Sequence, residues 1–409
     1  MIEKTLGDYV TLQRGNTYKG ALLGQPGPVL LGLGAIERDG GFKDTKLKTY
    51  GGSSDPRMLL SPGDVFVSLK DVTQAGDLLG SVARLPAHIS TGRLTQDTVK
   101  LVPKHDAVPL DLIYWTLRTP QYRAFCRAHA TGTTNLGLAR DDFLSFPIPL
   151  LCDERSNLVG LLQSVDDKIE LNRKLNATLE AMARALFRDW FVDFGPTRAK
   201  MEARAPYLSP DLWSLFPDRL DAEGKPEGWE LGEMSDLFTL QRGFDLPSQD
   251  RRDGAYPILA ASGPSGFHET HMVKGPGVTT GRSGVLGRVF YVQGDFWPLN
   301  TSLWVKDYKR ATPLYAYYFL RLIDLAGFNA GSAVPTLNRN HIHGLPAVLA
   351  PRELIAAFDR LADSLMMRHR QNEIENETLA RTRDLLLPRL MSGELQVADL
   401  PPSEQEAVA

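Results

Sequence analysis

A chain that repeats itself in the same order is built from two similar units, and this one does so. Thr11-Leu12-Gln13-Arg14-Gly15 recurs as Thr239-Leu240-Gln241-Arg242-Gly243, an offset of 228. Tyr114-Trp115-Thr116-Leu117-Arg118 answers to Tyr317-Tyr318-Phe319-Leu320-Arg321, an offset of 203. Gly132, Leu138 and Pro147 match Gly331, Leu337 and Pro346 at 199, and Asn172, Asn176, Thr178, Leu179 and Leu186 match Asn372, Asn376, Thr378, Leu379 and Leu386 at 200. One TLQRG pair could be chance; four collinear landmarks are a tandem duplication. The fall of 25 between the first two offsets predicts one insertion in the first copy, within residues 40–80.

Each copy reads as a globular part followed by a long helix. Residues 64–68, 98–102, 287–292 and 302–305 have the β-branched and aromatic content of strands. Residues 110–128 and 313–325 read as amphipathic helices packed on the sheet. In the first linking helix Leu158, Leu162, Val165, Ile169, Asn172, Asn176, Leu179, Ala183 and Leu186 step alternately by four and three. Phe358, Ala362, Leu365, His369, Asn372, Asn376, Leu379, Arg383 and Leu386 do the same in the second. That spacing is a coiled-coil seam, and Asn172, Asn176, Asn372 and Asn376 would fix its register at some cost in stability. The alternative is two separate amphipathic helices, each buried on its own domain. A 30-residue helix spans ~45 Å, long enough to act as a rigid spacer. The expected fold is therefore α+β: two tandem α/β modules (1–150 and 229–350), helices at 151–196 and 351–395 pairing as an antiparallel coiled coil, a linker at 197–228, and a disordered acidic tail at 396–409.

Composition narrows the function. With 409 residues, 43% apolar and 23% charged, the chain can bury several cores and is no low-complexity or disulfide scaffold. Its only cysteines, Cys126 and Cys152, form no CxxC or Cys/His cluster, which argues against zinc. No basic-then-apolar leader and no apolar run of ~20 residues is present, so a cytoplasmic protein with no membrane partner is expected. Charge is segregated: the modules carry a net +3 and +1, and the helix-bearing segments −3 and −4.

No catalytic constellation emerges. Gly281–Gly287 has glycines but no Lys-Ser/Thr opening a helix, and no GxGxxG joins a strand to a helix. The Asn/Asp-Pro-Pro-Tyr/Phe tetrapeptide of amino-methylating enzymes is absent. Asp218, Glu223 and Lys225 mimic a nuclease pattern but lie in a loop; His341 and His343, like His268 and His271, lack a third ligand. Asp166 and Asp167 read as a solvated acidic face. What remains is polar chemistry on loops. Gln13-Arg14 and Gln241-Arg242 are side chains that read base edges, Arg through two parallel donors and Gln through a donor and an acceptor. The bland alternative is a turn whose Arg pairs with an aspartate. Thr280, Arg282 and Ser283 stand on a glycine-rich stretch where backbone and guanidinium could approach phosphates. Thr133, Thr134, Asn135 and Arg140, answered by Asn338, Arg339 and Asn340, form further polar clusters, with Lys70 and Arg93 in similar positions of the first copy.

This order of module, helix, module, helix resembles the specificity subunit of type I restriction–modification systems. The resemblance spans nearly the whole chain. It is most specific in LQSVDDKIELNRKLNATLEAMARALFRDWFVDFGP (Leu162–Pro196), LFPDRL (Leu215–Leu220), PEGWE (Pro226–Glu230) and LLLPRLMSGEL (Leu385–Leu395). It implies a non-catalytic subunit whose modules are target recognition domains reading a bipartite double-stranded DNA sequence. It also implies helices that dock two methyltransferase subunits, with restriction subunits joining that core. S-adenosylmethionine, ATP and Mg²⁺ would then be bound by the partners, and none by this chain. Aromatic surface for the methyltransferase is expected from Phe187, Trp190 and Phe191. The rival expectation is a free-standing scaffold that binds proteins or RNA.

Overall fold

The computed structural model describes residues 4–392, apart from 39, 46, 74, 134 and 332 and the side chain of Ser392. The acidic tail expected at 396–409 and Thr134 lie outside the described residues. The chain divides into two units, Met1–Asn172 with Ile374–Ala409, and Arg173–Glu373.

In the first unit a four-stranded sheet is formed by β1 (Val10–Arg14), β2 (Val65–Ser68), β3 (Val82–Arg84) and β4 (Thr98–Pro103), in the order β1-β4-β2-β3. All neighbours are antiparallel, and Gln13 and Arg14 stand opposite Lys100 and Val99. Helices α1 (Leu110–Thr116), α2 (Pro120–Ala128) and α3 (Arg140–Leu144) follow, then the first long helix α4 (Asp153–Phe191). The single helix expected over 110–128 is thus two. Thr119 accepts a hydrogen bond from the Tyr122 N–H as N-cap and Pro120 occupies the first turn, so the chain stops and restarts there. Strands Lys4–Thr5 and Pro147–Ile148 pair and bring the ends of the module together.

The second unit repeats this plan. Strands β5 (Thr239–Arg242), β6 (Gly277–Gly281), β7 (Val289–Val292) and β8 (Ser302–Asp307) form a sheet in the order β5-β8-β6-β7. Helices α5 (Pro313–Leu322) and α6 (Arg339–His343) precede the second long helix, α7 (Arg352–Ser392). Strands Glu230–Glu233 and Pro346–Leu349 close the module. The entry turn is copied too: the Thr5 N–H donates to Asp8 Oδ2 at 2.7 Å, and the Glu233 N–H to Asp236 Oδ2 at 2.9 Å.

The extra length of the first copy falls in two places, not one. Between β1 and β2 lie residues 15–64, against 243–276 between β5 and β6, and between β2 and β4 lie 69–97, against 282–301. These connections carry a small second sheet in each copy, with Gly92–Leu94 between Val29–Leu31 and Leu59–Leu60 in the first and Tyr256–Ala260 between Gly263–His268 and Trp297–Pro298 in the second, each over a core of its own.

The long helices pair in both units. In the first, Asn172 Nδ2 donates to Asn376 Oδ1 at 3.0 Å and to Glu375 Oε2 at 2.8 Å, and Lys168 faces Glu375 at 3.5 Å. In the second, Asn372 Nδ2 donates to Asn176 Oδ1 at 2.7 Å and Asn176 Nδ2 to the His369 carbonyl at 3.2 Å. Numbers rise on one helix as they fall on the other, which is an antiparallel coiled coil. The four seam asparagines bond across it, a register device that leucine would not supply. Each half-seam also joins a module core: Leu158, Leu162, Val165 and Ile169 pack with Leu112 and Ile113, and Phe187, Trp190 and Phe191 with Tyr315, Tyr318 and Phe358. These three aromatics are therefore interior, with Trp190 fully buried, and do not form the partner surface expected of them. Burial of such rings is worth ~1.5–3 kcal/mol each, so the core has first claim on them.

Candidate nucleic-acid interface

The repeated QR pair lies on strands, not loops. Gln13-Arg14 ends β1 and Gln241-Arg242 ends β5. The glycine that follows is a close-approach residue: a Cβ on Gly15 would lie 2.2 Å from the Thr95 carbonyl oxygen, and one on Gly243 2.3 Å from that of Leu299. No larger residue fits, so each strand end is pressed against the turn that precedes β4 or β8. Those turns supply the polar partners. Arg14 Nε donates to the Gln96 carbonyl at 3.2 Å, and Arg282 Nε to that of Asn300 at 3.0 Å.

In the first unit this builds a cavity of about 400 Å³ whose lining includes Arg14, Lys70, Gln96, Asp97, Thr131 and Arg140. Three residues singled out from sequence, Arg14, Lys70 and Arg140, meet here, and all three are exposed. Lys70 faces Asp97 at 3.5 Å, and Gln13 Nε2 is turned back to the Arg14 carbonyl at 2.9 Å. Thr133 and Asn135 are exposed on the loop between strands Ala130–Thr131 and Leu136–Leu138, the second of which pairs with Lys70–Asp71. Buried Asp71 anchors this corner. Burial works against its charge, but hydrogen bonds from the N–H groups of Leu78 and Thr73 outweigh it and hold the carboxyl below its usual range.

Arg93 does not belong to this surface. It is 2% exposed, donates to Ser54 Oγ, Asn16 Oδ1 and the carbonyls of Leu94 and Thr17, and lies over the Tyr50 ring at 4.7 Å. It staples the segment after the first QRG to the small second sheet. A buried guanidinium must satisfy its donors, and here the protein does so itself.

The second unit assembles its counterpart from Gln241, Arg242, Arg282 and Ser283. The Arg242 guanidinium meets Asp245 at 3.1 Å, Asn300 Nδ2 donates to the same carboxylate, and the N–H groups of Arg282 and Ser283 donate to the Thr301 carbonyl. The Leu337 N–H donates to the Arg282 carbonyl, which tethers the start of α6 alongside. There Arg339 and Asn340 are exposed, as Arg140 is on α3. Asn338 is the N-cap of α6, its side chain accepting from the Asn340 N–H at 3.0 Å. Thr280, expected in a glycine-rich loop, is buried in β6 with its hydroxyl donated to the Arg288 carbonyl, and so offers no donor to a ligand.

Gln96, Asp97, Asp245 and Asn300 escaped the sequence reading. For all but Asp245 the signal was positional: TQDT and LNTS lead into the paired strands β4 and β8. Of the histidines weighed as ligands, His268 and His343 are structural: His268 Nδ1 accepts the Arg252 N–H at 3.1 Å. His343 Nε2 accepts the Leu240 N–H at 2.9 Å, and burial, with Arg339 and Lys309 nearby, pushes the imidazole down into its neutral form. Among the described residues no three His, Cys, Asp or Glu side chains converge as a metal site, and no helix is long and apolar enough to cross a membrane.

The arrangement is thus two copies of one surface: a strand end carrying Gln and Arg, a polar turn, and a short helix opening with Arg. Such groups suit phosphate positioning and base-edge contact. Residues 226–346 match the family described as the type I restriction modification DNA specificity domain. The type I restriction enzyme MjaIX specificity subunit of Methanocaldococcus jannaschii is 24% identical over 334 residues, which cover 73% of this chain and 72% of that one. The HindI specificity subunit of Haemophilus influenzae is 26% identical over 318 residues, 59% of this chain and 67% of that one. In fold, the chain is similar to the S subunit of a type I restriction–modification system from M. genitalium, with a TM-score of 0.57, 16% identity and 95% of each chain covered.

Proposed function

We propose, from the premise that the chain belongs to the type I restriction–modification specificity-subunit family, that it reads a bipartite double-stranded DNA target. Residues 1–150 and 229–350 are the two target recognition domains, each contacting one half-site. The helical segments 151–196 and 351–395 set the spacing between half-sites, much as dimer geometry does in other DNA readers. The observation that carries this reading is the duplicated interface: Arg14 and Arg242 end equivalent strands beside equivalent polar turns. In the first unit, Arg14, Lys70 and Arg140 position phosphates while Thr133 and Asn135 face base edges, and Gln13 joins them by releasing the Arg14 carbonyl. In the second, Arg242, Arg282 and Arg339 take the first role and Gln241, Ser283 and Asn340 the second.

The chain has no catalytic role of its own in this reading. Two methyltransferase subunits dock on the helices, where Leu171, Met182, Met367 and Ile374 are exposed, and restriction subunits join that core. S-adenosylmethionine, ATP and Mg²⁺ belong to those partners. The modest positive charge of the modules predicts weak DNA binding by the isolated chain, with high affinity once partners complete a clamp. Salt-resistant nanomolar binding by the isolated chain would overturn that part.

The test is modified-base sequencing of DNA from a methylation-free host expressing this chain with a cognate methyltransferase. One interrupted motif, methylated only when this chain is present, is the expected result. Replacing residues 1–150 by another recognition module should then change one half of the motif and leave the other. No methylation from a stable purified complex would favour a protein-binding scaffold instead.

A further inference from the structure

The first unit holds a second cavity, of about 420 Å³, whose lining does not overlap the interface described above. Its polar wall is Arg38, Arg118, Arg123, Arg127, Arg383 and Asp384: five guanidiniums and one carboxylate among the described lining residues. Like charges brought this close repel one another, and the two that are buried, Arg118 and Arg123, also cost desolvation.

The arginines are held in place by the fold. Arg118 is 8% exposed, its guanidinium 4.7 Å from the Trp115 ring centroid, with one nitrogen donating to Tyr114 Oη and Asp166. Its Nε is buried and has no hydrogen-bond partner. Arg123 is buried and donates to the carbonyls of Gly76, Asp77 and Leu79, which fixes its position. Arg383 meets Asp166 at 2.8 Å and its neighbour Asp384 at 2.9 Å, and Arg38 lies 3.6 Å from Asp77 with most of its side chain in solvent. Gly40 completes the wall, at φ +105, where a Cβ would crowd Arg118 Cγ and the Val82 carbonyl at 3.2 Å.

The duplication supplies a control. At an offset of 203 the counterparts of Arg123 and Arg127 are Ala326 and Ala330; at 199 they are Leu322 and Ala326. The counterpart of Arg383 on the other long helix, at 200, is Ala183. The cluster is peculiar to the first copy, so the common frame does not require it.

We propose that this cavity is a binding site for a phosphoryl group of more than one negative charge, either the diphosphate of a free nucleotide or adjacent phosphates of a nucleic-acid backbone. Planar forks of N–H donors match terminal phosphoryl oxygens in pairs, which is why arginine and not lysine lines such sites. The volume falls in the usual range for small-molecule sites.

The test is calorimetric titration of the full chain with inorganic pyrophosphate at constant ionic strength, with sulfate as the control anion. Saturable binding of one pyrophosphate per chain, well above any sulfate binding, is expected. Arg38→Gln, a change on a largely exposed side chain, should weaken it about tenfold, as should Arg383→Gln. Asp77→Asn should tighten it by releasing Arg38, which a purely structural role for these arginines does not predict. Arg252→Gln, on an exposed side chain of the second unit outside both surfaces, should leave it unchanged. Competition by ADP assigns the site to a free nucleotide, and competition by a short DNA duplex assigns it to the backbone. Pyrophosphate binding no stronger than sulfate, or equal in parent, Arg38→Gln and Arg383→Gln, overturns the proposal.

Discussion

The two modules keep one frame and fill it differently. In both, an arginine follows a tyrosine by four residues on the helix packed against the sheet, or in the turn that ends it. Arg118 donates to Tyr114 Oη at 3.2 Å and Arg321 to Tyr317 Oη at 2.6 Å. Each guanidinium also finds a carboxylate on α4, but not an equivalent one: Asp166 in the first unit and Glu180 in the second. The positions matching these acids on α7, at the offset of 200, are Met366 and Ala380. The duplication has kept the demand, a partly buried guanidinium that needs an anion, while its supply has moved. Around that pair the fillings diverge. Asp166 also takes Arg383, which makes the first unit's junction ionic, whereas in the second Phe187 packs edge-on against Tyr315 and Phe358 and tilted against Phe191, with ring centroids 5.0–5.4 Å apart.

Removing the filling should therefore hurt the two units by different routes. The largest effect is expected from Phe187→Ala, at about 3–5 kcal/mol for a buried aromatic. Hydrogen exchange should show lost protection within 173–373 and retained protection within 4–172; loss spread evenly over both would break the comparison. Asp166→Asn comes next, at about 3 kcal/mol, because it leaves two guanidiniums with a weaker acceptor, one of them 6% exposed. Glu180→Gln should cost only about 1 kcal/mol, since that pair keeps 29% and 22% of its side-chain surface in solvent. Equal losses in urea unfolding would show that the two junctions are energetically alike. At the seam, Asn372→Leu strands Asn176 and should cost about 1–2 kcal/mol, which Asn176→Leu in the same chain should restore. A double variant as unstable as the single one would show that the asparagines do more than satisfy each other.

Much of this frame was legible because it is written twice. The repeat gave the two modules, and the four-and-three spacing with Asn172, Asn176, Asn372 and Asn376 gave the paired helices. What period and repetition cannot show is which side of an element faces inward when two partners compete for it. Phe187, Trp190 and Phe191 looked like a docking surface because their helix already had a seam, yet the module core covers them. Arg93 and Thr280 looked available because their residue types usually are, but a neighbour at 77 residues' separation for Arg93, and a strand in place of a loop for Thr280, consumed their donors. Asp166 looked solvated because the two guanidiniums that meet it are distant in sequence. Long-range pairing of polar groups was the missing information throughout, and it is what decided the candidate interface.

The smallest expected effect sharpens the comparison through pH. Thr312 Oγ1, on the N-cap of α5, donates to Asp359 Oδ1 on α7 at 2.7 Å. The first module has Pro109 and Val159 at the corresponding positions, offsets of 203 and 200, and so has no titrating group there. Burial raises the Asp359 carboxyl to about 6, with Asp363 adding to the rise and the Thr312 hydroxyl opposing it. The native state then holds a proton that the unfolded chain has released between the usual 3.8 and 6, so stability falls as pH rises through that window. At neutral pH the ionised carboxylate is a net cost of about 1 kcal/mol, after discounting the shift for solvent screening. Asp359→Asn keeps an acceptor for Thr312 and cannot ionise. Its advantage over the parent in urea unfolding should be near zero at pH 4 and reach about 1 kcal/mol at pH 7. Asp359→Val, which copies the first module, should remove the same pH dependence while losing the Thr312 bond. A gain for Asp359→Asn that is equal at both pH values would mean that packing, not charge, separates the two modules at this position.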